Sequence, residues 1–70
     1  MTTATATIYR AHTEGFDITT TSLDEIRTWA NRLNARYNLS GKELKIWQGI
    51  NRNGCNVFES CEPARVITFA

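Results

Sequence analysis

Seventy residues, 41% hydrophobic and 21% charged, describe one small globular domain over residues 1–70 rather than a disordered chain. A formal net charge of +1 supplies no overall field toward nucleic acid or an acidic membrane surface, and so small a core leaves a thin stability margin. No apolar run approaches the ~20 residues that span a bilayer. The segment "TTATATIYR" after Met1 also lacks the basic start and continuous apolar stretch of a signal peptide. With only two cysteines, the expected setting is a reducing cytoplasm, without membrane association.

Thr5, Thr7 and Tyr9 alternate with Ala4, Ala6 and Ile8, a period-two pattern rich in β-branched residues that reads as a strand. "TEG" at 13–15 is a turn in which Gly15 takes a positive φ, and "FDITT" at 16–20 alternates again, so residues 4–21 are expected to form a β-hairpin. Ser22 followed by Glu25 is a capping box: the hydroxyl accepts one unpaired N–H of the first helical turn, and the carboxylate reaches back for another. Asp24 and Glu25 also set negative charge at the positive end of the helix dipole. Leu23, Ile26, Ala30, Leu33 and Tyr37 then recur at three- and four-residue spacing as one apolar stripe. The helix is expected over roughly 22–39, closed by Asn38 or Gly41 in the left-handed conformation.

"KELKIWQGI" at 42–50 returns to alternation, with Leu44, Ile46 and Ile50 on one face. Asn53-Gly54 is a strong hairpin signal, because both central positions of a type I′ turn need positive φ. A partner strand is expected from about Cys55 to Glu62, ended by Pro63, which has no N–H to give a ladder, and "ARVITF" forms the last strand. The order β-β-α-β-β-β implies an α+β fold in two layers, an antiparallel sheet of about five strands with one helix packed on one face.

Centring the turn on Asn53-Gly54 sets Ile50 opposite Val57, Gln48 opposite Glu59 and Ile46 opposite Cys61. Cys55 and Cys61 then share one strand and one face. Six strand steps span ~20 Å, whereas a disulfide needs Cα atoms within about 7 Å, so an intramolecular bridge is excluded on this register. Two cysteines and His12 do not make up a four-ligand zinc site. The thiols read as small half-buried residues, with an intermolecular disulfide through Cys55 as the alternative. In the same register Leu44, Ile46, Ile50 and Val57 face the helix. Trp47 and Phe58 fall on the opposite face with Lys45, Asn51, Asn56 and Ser60. Such a pair is either a contact patch rimmed by polar groups or core beneath the first hairpin or a bulge, and a one-residue slip would exchange the faces. Ile67 and Phe69 join Trp47 or Val57 according to whether two or three residues connect Pro63 to the last strand.

Catalytic chemistry has little to draw on. The single histidine, His12, sits on a hairpin arm near Asp17, and the four glycines are isolated rather than grouped for phosphate. The chain is expected not to be an enzyme and to hold no cofactor or metal. Arg27, Arg32, Arg36, Lys42 and Lys45 gather on or just after the helix. With surface aromatics nearby, they make a small nucleic-acid-binding protein the alternative reading.

The leading expectation is a protein-binding module. In size and layout, with "ITTTSLDEIRTWANRL" running from strand through a capped helix and "GKELKIWQG" resuming the sheet, the chain resembles the small single-domain inhibitors that phages use against host machinery, such as anti-CRISPR proteins and inhibitors of bacterial RNA polymerase. The resemblance covers most of the chain in plan and carries no diagnostic motif. It implies a phage or mobile-element protein, a monomer or weak dimer in the host cytoplasm, that occludes a host protein or protein–nucleic-acid complex such as a CRISPR effector. The residues expected to contact the partner are Trp47, Phe58, Arg32, Arg36 and Lys45, aromatic and cationic side chains of the kind that anchor interfaces.

Overall fold

The computed structural model describes residues 5–70, so Ala4, the first residue of the expected hairpin, lies outside the described residues. Five strands and one helix follow the expected order: β1 (Thr5–Thr13), β2 (Phe16–Thr20), α1 (Leu23–Tyr37), β3 (Glu43–Arg52), β4 (Cys55–Phe58) and β5 (Arg65–Thr68). All strand pairings are antiparallel, in the sheet order β2-β1-β3-β4 with β5 also on β3. The fold is α+β, with the helix on one face of the sheet.

Both tight turns owe their shape to residues that accept positive φ. Glu14 and Gly15 have φ of 45° and 85°, Asn53 and Gly54 of 52° and 84°, the signature of type I′ turns. The helix starts at Ser22, whose Oγ accepts the Glu25 N–H at 3.4 Å. The return arm of the box differs from the expected one. Glu25 does not reach the Ser22 N–H directly; that N–H donates to Thr20 Oγ1 at 3.3 Å, and the Thr20 hydroxyl donates to the Glu25 carboxylate. Thr20 thus relays the cap, tying the last residue of β2 to the first turn of α1. At the other end Asn38 takes the left-handed cap, its N–H donating to Asn34 O at 2.8 Å, while Asn34 Oδ1 accepts the Leu39 N–H.

The main core cluster is Ala11, Ile26, Ala30, Leu44 and Ile46, with Tyr9, Ile18, Trp29 and Phe69 packed around it; Ile8 and Leu39 are buried outside it. Ladder partners share a face, so Ala11 and Ile46, Ala11 and Ile18, and Leu44 and Ile67 all look toward α1. Of the expected helical stripe, Ile26 and Ala30 are buried and Leu33 is half-buried, whereas Leu23 and Tyr37 are exposed at its ends. Tyr37 instead stacks on Phe16, with ring centroids 5.1 Å apart. Trp29 supplies the packing that the stripe left out. Thr13 is fully buried and donates its hydroxyl to Glu43 O at 3.0 Å, which satisfies the polar group it carries into the core.

The second hairpin departs from its expected length. Ile50 opposes Val57 as the turn dictates, and the Glu59 N–H still reaches Gln48 O, but β4 ends at Phe58. Ile46 opposes Arg65 rather than Cys61, because residues 59–64 leave the ladder and the chain rejoins β3 four residues further along. β4 and β5 therefore lie end to end on one edge of β3. An even number of extra residues preserves the inward and outward sets, so Ile67 and Phe69 share the helix face with Val57.

Candidate interaction surfaces

Helix α1 lies nearest β2, and its buried Ile26 and Ala30 also pack on Ala11, Leu44 and Ile46. Past the buried Leu44 and Ile46 the same face of the sheet opens over β5, leaving a groove of about 550 Å³ between α1 and β5. Leu44 and Ile46 of β3 with Ile67 and Phe69 form its floor, and Leu23, Ile26 and Ala30 form the helix wall. Leu23 and Ile67 remain 39% and 44% exposed there, large apolar groups that the fold itself does not cover. The polar rim consists of Asp24, Arg27, Asn31 and Asn34 on the helix and Arg65 on β5. Among the described residues neither Arg27 nor Arg65 is ion-paired.

The opposite face of the sheet carries the aromatic pair. Trp47 and Phe58 both lie there, half-buried, with Lys45 exposed beside them on β3. The Arg10 guanidinium sits over the Trp47 ring, 5.5 Å from its centroid, and the indole N–H donates to Cys61 O at 3.0 Å. The excursion at 59–64 is thus pinned to the outer face by Trp47. Ile8, opposite Gly49 and in line with Phe58, is buried on this face, so the outer side holds a small apolar row of its own. Gly49 permits that row. A Cβ there would come within 2.3 Å of the Val57 carbonyl oxygen and 2.8 Å of Phe58 Cα, both backbone atoms of β4.

Asp17 accepts at 3.2 Å from Arg10, the residue over Trp47, and lies 2.8 Å from His12 Nδ1. The His12 contact holds the Asp17 carboxyl below the usual carboxylate range; slight desolvation opposes the shift and the Arg10 charge adds to it. The cluster is exposed, where ion pairs of this kind contribute little to stability. Among the described residues no three His, Cys, Asp or Glu side chains converge to hold a metal ion. No helix there is long and apolar enough to cross a membrane.

The five residues singled out in the sequence therefore do not form one patch. Trp47, Phe58 and Lys45 share the outer face. Arg32 lies on the other layer, on the β2 flank of α1 beside Ile18 and Trp29, and Arg36 stacks over Tyr37 at 5.6 Å. The basic residues that looked clustered along the chain are dispersed, since Arg27 points to the groove flank and Lys45 to the outer face. Both cysteines are free and exposed rather than half-buried, and Cys61 belongs to the excursion rather than to β4. Sequence reasoning missed the groove. Its only signal was the alternation of "RVIT", which placed Ile67 on an undetermined face.

Comparison with family models, with curated proteins and with solved structures finds no match to this chain.

Proposed function

We propose that this chain is a non-enzymatic protein-binding module whose contact surface is the groove between α1 and β5. The observation that carries the reading is the groove itself: an apolar floor continuous with the core, two exposed aliphatic residues and a rim of unpaired arginines. Such a surface offers a partner apolar area at its centre and polar contacts at its edge, the anatomy of a specific interface. Size and layout, a short sheet backed by one helix, suit a blocker that works by occlusion. This is the role implied by the resemblance to phage-encoded inhibitors, with a host nucleic-acid machine such as a CRISPR effector as the class of target. A cytoplasmic setting belongs to the same reading, both thiols being free.

The outer face favours a second reading. Trp47 with Arg10 over its ring, Phe58 and Lys45 form an aromatic and cationic surface on an open sheet, the chemistry on which unpaired bases stack. Paired variants separate the two. Capture from a bacterial lysate with wild type, Ile67→Glu and Lys45→Glu should lose the captured protein with Ile67→Glu and keep it with Lys45→Glu. The reverse pattern overturns the groove reading. Retention of single-stranded RNA or DNA at low salt, falling steeply as salt rises, would support the outer-face alternative.

A further inference from the structure

The groove has an open side as well as an open top. β5 pairs only with β3, so among the described residues its other edge has no sheet partner. The Phe69 N–H donates to Lys42 O at 2.9 Å, and Phe69 O accepts from Gly41, so the polar groups of Phe69 face the β3 side. In an antiparallel ladder this alternates from residue to residue. Arg65 and Ile67 therefore also turn their N–H and C=O groups toward β3, and Val66 and Thr68 turn theirs outward. Edge strands are ordinarily blunted by inward charges, proline or a covering segment. β5 is short and carries Arg65 on the helix side, yet it also exposes an aliphatic residue on each face, Val66 on the outer side and Ile67 on the helix side.

We infer that β5 accepts a partner's extended segment as an additional strand, with alternate side chains of that segment filling the groove and acidic residues meeting Arg27 and Arg65. The inference rests on the groove being the binding surface and specifies its occupant. A strand laid beside β5 sits about 4.8 Å away, so every second side chain stands next to Ile67 over the groove, across from the helix wall. Main-chain bonds to Val66 and Thr68 hold the segment, and side chains at alternate positions give selectivity. Charge chooses between occupants. A second copy of this chain would bring its own Arg27 and Arg65 to a rim that already holds both, whereas a segment with carboxylates supplies the missing counter-charge. Asp24, the one acidic side chain on the rim among the described residues, lies in the first turn of α1, where it offsets the helix dipole.

The test uses the whole chain, immobilised, to select binders from a displayed library of random dodecapeptides, followed by amide hydrogen exchange of the chain with a selected peptide bound. The expected result is a selected pattern of apolar residues at alternate positions with Asp or Glu among them. Exchange should slow at Val66 and Thr68. Arg27→Glu and Arg65→Glu should each weaken binding by roughly fivefold, and N-methylation of the peptide amides facing β5 should abolish it. Peptides with three- and four-residue apolar spacing that shift Leu23 and Ile67 but leave Val66 and Thr68 unprotected would overturn strand addition while leaving the groove as a binding surface. A dimer of the chain with those two amides already protected would also overturn it. Failure to select any peptide, or selection of peptides that perturb only Trp47 and Phe58, would overturn both the inference and the groove reading.

Discussion

The two ends of the sheet follow the same alternating sequence pattern and meet different fates. At one end Ala11, Leu44 and Ile46 lie under α1 and are buried. At the other, Ile50 is half-buried and Val57 is 56% exposed, although both point to the same side of the sheet. The difference lies in the reach of one helix. At 1.5 Å per residue, the fifteen residues of α1 extend about 22 Å, whereas β3, with ten residues at about 3.3 Å each, extends about 33 Å. Alternation marks which side chains share a face; only the second layer decides which of them leave water.

Substitution at the two ends should show the contrast at its largest. Ile26→Ala removes the largest fully buried aliphatic side chain and should cost about 2–5 kcal/mol, enough to leave so small a domain partly unfolded. Val57→Ala should change stability by no more than about 0.5 kcal/mol. Chemical denaturation of both variants measures the gap, and equal losses would mean that the helix-free end carries a core of its own.

Gly49→Ala is the next largest effect and tests where the two ends join. The added methyl group meets the β4 backbone, so β4 must shift, at about 1–3 kcal/mol. The expected signature is faster amide exchange across Cys55–Phe58, with protection at Leu44 and Ile46 retained. A uniform loss across the sheet would show instead that the ends unfold together.

The Thr20 relay offers a test at the covered end. Ser22→Ala should cost about 1 kcal/mol. In Thr20→Val the Ser22 N–H loses its acceptor and Glu25 loses its donor. A double-mutant cycle of Thr20→Val with Glu25→Gln should therefore show coupling, and strict additivity would reduce the cap to Ser22 alone. On the outer face, Trp47→Phe removes the bond to Cys61 O while retaining an aromatic ring. It should leave the global midpoint nearly unchanged while speeding proteolysis within residues 59–64.

The smallest effect is electrostatic. Asp17 has a lowered pKa in the folded chain, so its contribution to stability is present above the ordinary carboxylate range and is lost as pH falls through the folded value. Wild type should exceed Asp17→Asn slightly at neutral pH, and the gap should close on acidification below about pH 4. A gap that widened in acid would remove the His12–Asp17–Arg10 cluster from the account.

Most of the fold was legible because it rests on local chemistry. Ser22 and Glu25 announce the helix start, and Asn53-Gly54 fixes the register of Ile50 against Val57. The departure at 59–64 was not legible: a strand that leaves its ladder and rejoins it still reads as alternation, and Pro63 marks only an interruption. The groove was hidden for the same reason, since it exists only once Ile67 is placed opposite Leu44. Candidate contact residues chosen by type and nearness in sequence fell on two layers. Nearness along a helix does not specify a flank, as the separation of Arg27 from Arg32 shows.

The free edge of β5 is the feature on which the functional account depends most, and hydrogen exchange of the unbound chain measures it directly. The account predicts alternation: amides of Arg65, Ile67 and Phe69 slowed by their bonds to the β3 side, and amides of Val66 and Thr68 exchanging freely between them. Protection at Val66 and Thr68 in the monomer would mean that the edge is already covered. Free exchange along all five residues would mean that β5 is not docked and that the groove has lost part of its floor. Either result would contradict the account.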